Sequence, residues 1–142
     1  MPERTTGRFT FADWEEKTIG TTGTGGTGRR LARASVNNTF SGGVEAAGTA
    51  CEFSIVYVSE TTGTFTGMEL LQGQLDGRKG AFAWEERGSF DADGTVHCTF
   101  EVVPGSGTEE LTGLRGTGNY TAAQGETSVR YTFEYELDGA ER

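Results

Sequence analysis

The chain alternates hydrophobic and polar residues over many short segments. The clearest alternation runs from Val129 to Leu137, where every second residue is apolar and the residues between are polar. A period of two places the apolar side chains together on one face of a strand. The segment from Val96 to Val102 has the same period and stops before Pro104, whose missing N–H suits a strand end. Both segments are predicted to be strands with one buried face.

Similar patterns predict further strands upstream. The segment Phe82–Phe90 places aromatic residues on one face, and the turn Asp91–Gly94 after it predicts a hairpin with the Val96 strand. Longer strands are predicted over Gly43–Ser59 and Thr64–Leu75, interrupted by bulges or bends at glycines. The glycines concerned are Gly48, Gly67 and Gly73.

The N-terminal segment predicts a strand with two apolar faces. Phe9 and Phe11 share one face, and Ala12 and Trp14 share the other. The next strand is predicted over Leu31–Phe40. The strand count predicted from the pattern is about seven to nine.

Two segments depart from the strand pattern. Gly20–Gly28 has no large side chain to bury, so it is predicted to be a flexible Gly/Thr surface loop, with a lid over a barrel mouth as the alternative. Thr108–Arg115 is predicted to form a short helical turn. Thr108 would cap it, two acidic residues favour its first turn, and Gly116 would end it.

Composition supports an all-β chain. The 142 residues include 23 glycines and only 2 prolines, and aromatic residues make up 11% of the chain. Many threonines and phenylalanines with frequent glycines suit short strands joined by tight turns. We expect residues 1–142 to form one domain, folded as a closed antiparallel barrel around an apolar interior.

The formal net charge of −9 makes nucleic acid an unexpected partner, because the field of the protein repels phosphate backbones. No apolar run is long enough to span a bilayer, and the N-terminal segment lacks an apolar signal block, so we expect a cytoplasmic protein without membrane contact. Cys51 and Cys98 lack a CxxC spacing. Free buried thiols are expected, with a disulfide across the barrel or a ligand-facing thiol as alternatives.

The sequence offers little support for metal or nucleotide chemistry. The glycines of residues 20–28 match GxGxxG, but no βαβ unit surrounds them, so we assign the match to composition. His97 is the single histidine and is predicted to face outward, opposite Cys98. No metal site and no Ser/His/Asp or Cys–His nucleophile is therefore predicted.

Four polar residues fall among apolar neighbours and are the candidate catalytic groups: Asn38, Tyr57, Glu69 and Glu86. If these side chains face inward, they need hydrogen-bond partners or a ligand. Burial would disfavour the charged form of either carboxyl and suit it to general acid–base work near neutral pH. A single bulge in a strand would reverse these assignments.

The run Gly88–Gly118, GSFDADGTVHCTFEVVPGSGTEELTGLRGTG, resembles a bacterial family of uncharacterised domains with the signature VVPGSGTGEL followed by GLRG. The segments Arg33–Gly42 (RASVNNTFSG) and Thr64–Trp84 (TFTGMELLQGQLDGRKGAFAW) occur in the same order with similar glycine spacing. The resemblance covers the chain from about Gly7 onward. It implies an eight-stranded antiparallel barrel similar to that of allene oxide cyclase, and related barrels close rings in bacterial polyketide pathways without a cofactor.

The leading hypothesis is therefore a cofactor-independent cyclase or isomerase acting on a polyketide- or lipid-like molecule inside the barrel. Glu69 or Glu86 would transfer a proton, and Tyr57 or Asn38 would donate a hydrogen bond to a developing oxyanion. The predicted ligand pocket comprises Phe40, Phe53, Phe65, Phe82, Trp84, Cys98, Phe100, Tyr131, Phe133 and Tyr135.

Two other functions stay open on the sequence. The barrel could bind a hydrophobic ligand without catalysis, or its own side chains could fill it as a structural barrel. In the structural case, an outward apolar band of Trp14, Val56 and Val58 would favour a homo-oligomer.

Overall fold

The computed structural model describes residues 2–23 and 28–137, and within these ranges the chain forms nine β-strands and one 3-10 turn. The strands are β1 (Glu3–Thr21), β2 (Arg30–Gly42), β3 (Val44–Glu45), β4 (Ala50–Tyr57), β5 (Gly63–Leu75), β6 (Arg78–Phe90), β7 (Val96–Val102), β8 (Leu114–Ala122) and β9 (Ser128–Leu137). The 3-10 turn covers Glu109–Leu111. The predictions of an all-β fold and of one short helical turn are confirmed.

Eight of the strands close into a ring of antiparallel pairs. The hydrogen-bonded order is β5-β4-β2-β1-β9-β8-β7-β6, and β6 pairs again with β5. The short β3 pairs with β5 in antiparallel orientation but is not one of the eight strands of the ring. Because successive side chains of a strand point to opposite faces, every strand of the ring sends alternate residues into one enclosed interior.

The turn between β5 and β6 shows how sequence sets the register of the ring. Asp76 and Gly77 occupy the two turn positions, with φ of 48° and 88°. A two-residue hairpin turn of this hand requires positive φ at both positions, and Asp-Gly is among the pairs that tolerate it. Thirteen residue pairs follow, from Leu75 opposite Arg78 to Gly63 opposite Phe90.

A bulge in β1 overturns the predicted facing of Trp14. The pairing with β2 shifts between Ala12 and Glu15, and Asp13 has a φ of 60°. Two residues of β1 therefore lie opposite one of β2, which reverses the alternation. Trp14 faces the same side as Phe9, and its ring lies 6.1 Å from the ring of Phe53. Trp14 thus lies on the cavity side of β1, although its side chain is 49% exposed, and Val56 and Val58 are exposed as predicted.

Three predicted boundaries also change. Gly43–Ser59 is divided into β3 and β4 by a turn in which Gly48 has positive φ, whereas β5 runs unbroken through Gly67 and Gly73. The helical prediction over Thr108–Arg115 was too long, because β8 already begins at Leu114. The predicted loop at 20–28 starts later, since β1 continues to Thr21, and its residues 24–27 lie outside the described ranges.

The interior is dominated by aromatic rings. Trp84 is at its centre, with ring centroids 4.0 Å from Phe100, 5.6 Å from Phe40 and 5.5 Å from Phe133. Close aromatic packing of this kind adds to the free energy gained from burying the rings. Among the described ranges, no helix is long and apolar enough to cross a membrane.

Gly118 is required by the packing of β8. A Cβ added there would overlap the Phe100 ring and the carbonyl oxygen of Thr132. We expect Gly118→Ala to lower the free energy of unfolding by about 1–3 kcal/mol, because the close-packed strand and ring have no room for the extra methyl group. Urea denaturation checks this, with Gly20→Ala as the control, since a Cβ at Gly20 meets nothing within 4 Å. Equal effects of the two substitutions would contradict the expectation.

Candidate functional site

An apolar cavity of about 390 Å³ opens at one end of the ring. Its volume is in the range of small-molecule sites. Most of its wall is aromatic or aliphatic, and the described part of the lining contains no lysine or arginine. The lining residues are Phe9, Phe11, Trp14, Val36, Asn38, Phe53, Ile55, Tyr57, Phe65, Phe90, Gly94, Val96, Tyr120, Ala122, Ala123, Gly125, Glu126 and Val129.

Two buried carboxyl groups lie deeper in the interior. Glu69 on β5 pairs with Trp84 on β6, and Glu86 lies two residues further along β6 on the same face. This spacing makes the two glutamates diagonal neighbours across one pair of strands. Glu69 is 2% exposed and Glu86 is 4% exposed. We call Glu69 and Glu86 the carboxyl pair.

Glu69 accepts three hydrogen bonds. Its Oε2 receives the Asn38 Nδ2–H at 2.8 Å and the Thr49 hydroxyl at 2.5 Å, and its Oε1 receives the Trp84 indole N–H at 3.2 Å. The Thr49 oxygen also accepts the backbone N–H of Asn38, so this hydroxyl links β2 to the carboxyl of Glu69. Donors that converge in this way match an ionised carboxylate, which only accepts.

The surroundings of Glu86 favour its neutral form. Burial raises the pKa of this carboxyl well above its ordinary 4.5, and the hydrogen bond with Glu69 and the charge of Glu69 raise it further. Hydrogen bonds from Trp84, at 3.0 Å, and from Cys98 oppose this rise without cancelling it. The carboxyl pair thus combines one proton donor and one acceptor, the division of roles that acid–base catalysis needs.

Two free thiols flank Glu86. Cys51 Sγ lies 3.9 Å from its Oε2, and Cys98 Sγ lies 3.8 Å from its Oε1. Burial raises the pKa of Cys98 to about 12, and burial with the nearby glutamates raises the pKa of Cys51 still more. Both thiols are therefore protonated at neutral pH. The expectation of free, buried cysteines is confirmed.

A thin partition separates the cavity from the carboxyl pair. Behind it lies a void of about 10 Å³, in contact with both glutamates and with room for one water at most. Three residues line both the cavity and this void: Phe9, Asn38 and Tyr120. A molecule in the cavity therefore meets these three residues before it reaches either carboxyl.

Sulfur and carboxylate atoms that could hold a metal also meet here. One ligand atom each from Cys51, Glu69 and Glu86 lies within 4.8 Å of the others. A cation would have to remove the proton of the Cys51 thiol and compete with the Trp84 N–H, which already binds both carboxyls. The single histidine of the sequence gives no indication of this group, because its members come from three different strands.

The structure brings together three of the four candidate catalytic residues, namely Asn38, Glu69 and Glu86. Tyr57 lies apart, at the cavity mouth, where its hydroxyl donates to Glu16 Oε2 at 2.5 Å. The Arg30 guanidinium lies 3.8 Å from the centre of the Tyr57 ring. Burial, with the hydrogen bond to Glu16, raises the pKa of Tyr57. Tyr57 is therefore placed to contact the outer end of a ligand.

The predicted pocket residues divide into three groups. Phe53 and Phe65 line the cavity. The void behind the partition is lined by Phe40, Trp84, Phe100 and Tyr131. The others are buried outside the cavity lining: Phe82, Cys98, Phe133 and Tyr135.

Sequence reasoning missed Tyr120 and Thr49. Tyr120 follows Leu114, Gly116 and Gly118 on the inward face of β8, so glycines hide the alternation that would have predicted it. Burial raises the pKa of Tyr120 well above 10, and Glu86 would raise it further if it lost its proton. Thr49 lies between strands, where no periodicity indicates a facing. The alternation along β4, in contrast, does predict that Cys51 faces inward with Phe53.

The fold and the site define an all-β protein with an apolar cavity backed by a buried carboxyl pair. The chain belongs to the family described as "Protein of unknown function (DUF3224)", which matches residues 5–135. It is similar to the crystal structure of a protein of unknown function from this family, from Shewanella oneidensis MR-1. The two share 29% identity with a TM-score of 0.73, over 97% of this chain and 99% of the other. No curated protein matches the chain.

Proposed function

We propose that this protein is a cofactor-independent cyclase or isomerase that acts on a hydrophobic, polyketide- or lipid-like small molecule in the apolar cavity. One observation carries the proposal: the buried Glu86, whose pKa is raised by burial and by Glu69, lies directly behind an apolar cavity of about 390 Å³. A buried carboxylic acid that keeps its proton near pH 7 is a suitable general acid.

The cavity walls would supply the rest of the catalysis. Rigid aromatic side chains restrict a flexible ligand to few conformations, and this lowers the entropic cost of an intramolecular ring closure. Asn38 lines the cavity and bonds Glu69, so its amide is positioned to stabilise an oxyanion near the partition. Tyr57 lines the cavity at its mouth, where its hydroxyl is bound to Glu16. Its ring would therefore contact the outer end of the ligand.

We further propose that the ring of eight antiparallel strands is an allene oxide cyclase-like barrel. The closed order of pairs, the aromatic interior and an opening at one end support this likeness. A barrel of eight strands leaves an interior that either packs its own side chains or holds one small ligand. Here one end is packed around Trp84 and the other end is open.

Binding of a hydrophobic ligand without catalysis is the second candidate. The partition favours it, because Phe9, Asn38 and Tyr120 lie between the cavity and the carboxyl pair. In this case the carboxyl pair would serve only to fix the positions of Asn38 and Trp84.

The test compares what the protein retains with what it releases. The purified protein is incubated with an organic extract of its host, washed, and the retained compounds are identified by native mass spectrometry and chromatography. Cyclisation and isomerisation leave the mass unchanged, so conversion is detected as a new retention time at the same mass. We expect conversion by the wild type, and retention without conversion by Glu86→Gln.

Ile55→Trp is the matched control, because Ile55 lines the cavity and a larger side chain would fill it. This variant should retain nothing. If wild type and Glu86→Gln release the same unchanged compound, the protein is a binder and the cyclase proposal is wrong. If Ile55→Trp retains as much as the wild type, the ligand does not occupy this cavity.

A further inference from the structure

The partition limits how the carboxyl pair can act on a molecule in the cavity. The void behind it is too small for a ligand, so contact with the glutamates must pass through the residues shared by cavity and void. Phe9 is apolar, and Asn38 and Tyr120 are the two polar residues of the three.

Asn38 does not transfer protons in this position. An amide is neither an acid nor a base near neutral pH, and one Asn38 N–H is already donated to Glu69. Its role is limited to a hydrogen bond. A proton that moves between the cavity and the carboxyl pair therefore needs another group.

Tyr120 has the connections that such a group needs. Its side chain lines both cavity and void, and its ring lies 5.0 Å from the Phe9 ring in an edge-on contact that fixes its orientation. Its hydroxyl interacts with the Cys98 thiol, and Cys98 Sγ lies 3.8 Å from Glu86 Oε1. Tyr120, Cys98 and Glu86 thus form a continuous series of O–H and S–H groups from the cavity to the carboxyl pair.

We propose that Tyr120 is the catalytic residue that contacts the substrate, donating its proton to an oxygen atom of an uncharged apolar carbonyl compound. This inference rests on the proposed function. The ligand oxygen takes the Tyr120 proton as that O–H bond breaks. The Cys98 thiol, which donates to Glu86 Oε1 in the structure, must then turn its S–H to Tyr120, give up that proton and take the Glu86 proton in exchange. Reverse transfer returns the proton when the product oxygen releases it. No electrons are exchanged with the protein.

The chemistry of the cavity selects this class of substrate. A neutral phenol donates a hydrogen bond, so the ligand must offer an acceptor at the end that enters first. Charged carboxylates are disfavoured, because the described lining holds no cationic side chain and the protein has a net charge of −9. An apolar ketone or enone satisfies both conditions.

The probe for the test is prodan, a naphthyl ketone whose fluorescence shifts to longer wavelength when its carbonyl accepts a hydrogen bond. Wild-type protein should bind prodan with red-shifted emission. Tyr120→Phe should bind it about 3- to 10-fold more weakly, with emission shifted to the blue, since one hydrogen bond is lost and the apolar wall is kept. Dimethylaminonaphthalene, which lacks the ketone, should bind both proteins equally.

Tyr135→Phe is the control, because its hydroxyl bonds Asp76 and the residue is outside the cavity lining. It should behave as wild type towards prodan. Identical emission of wild type and Tyr120→Phe, or failure of the wild type to bind prodan, would overturn the assignment of Tyr120 and the ligand class. If the wild type retains a compound from the host extract but does not convert it, the proposed function is rejected. The prodan result tests only the hydrogen bond from Tyr120, so the two failures can be told apart.

Discussion

Glu69→Leu is expected to lower the free energy of unfolding at pH 7 by about 2–5 kcal/mol. The leucine removes the acceptor of the Asn38 amide and of the Thr49 hydroxyl, both of which are buried. Each buried donor left without a partner costs about 1–3 kcal/mol. Trp84 keeps its second acceptor, Glu86 Oε2, so its indole N–H adds little to the loss. Urea denaturation followed by tryptophan fluorescence measures the change.

Glu86→Leu is the matched control on the neighbouring strand. It removes a buried carboxyl of the same size, but the Trp84 N–H keeps Glu69 as acceptor, and Glu69 loses its bond with Glu86 yet keeps the Asn38, Thr49 and Trp84 donors. The remaining donors are weak thiols. We expect a loss of about 1 kcal/mol or less, because replacing a buried polar group whose partners stay satisfied is close to neutral. If both leucine variants lose the same stability, the hydrogen-bond asymmetry within the carboxyl pair is not what stabilises the fold.

Much of the candidate site follows from period-two alternation. Asn38, Glu69 and Glu86 face inward because each lies in a strand whose neighbours at two residues' distance are apolar. The same rule gives the inward aromatic residues of β9, and it works because the buried face of a strand fixes its register. The ring of pairs determines which of these residues meet, and alternation within one strand carries no information about that.

The features that sequence reasoning missed have local physical causes. The bulge at Asp13 and Trp14 adds one residue to β1 and turns Trp14 into the cavity, yet no glycine or proline marks its position. Tyr120 was hidden because close packing of Phe100 over Gly118 requires glycine where an apolar residue would have shown the period. Both omissions concern residues of the cavity wall.

The structure also relates the roles of the two glutamates to their environments. Two carboxyls of the same type, in contact and almost equally buried, differ in the number of strong donors that reach them. Asn38 and Thr49 come from β2 and the segment before β4, and both reach only Glu69. The pairing of β2 with β4 thus decides which carboxyl receives the amide and hydroxyl donors.

This difference predicts a pH dependence of stability. Glu86 has a pKa raised above its ordinary 4.5, so between these two values the folded protein holds a proton that the unfolded chain releases. The stabilisation is complete below pH 4.5 and is lost as the pH rises through the folded-state pKa, with a slope of at most about 1.4 kcal/mol per pH unit. Glu86→Gln keeps a neutral side chain of the same shape. We expect it to flatten the stability profile from pH 5 to 8 and to exceed the wild type in stability at pH 8.

Glu85→Gln is the control, since Glu85 is the exposed neighbour of Glu86 on the same strand. It should retain the wild-type slope, and subtracting the two profiles removes every contribution that the two variants share. Denaturant titrations at several pH values give each profile directly. A wild-type profile that is already flat, or a slope that persists in Glu86→Gln, would mean that Glu86 releases its proton near its ordinary pKa of 4.5. Glu86 could then not be the neutral acid of the site.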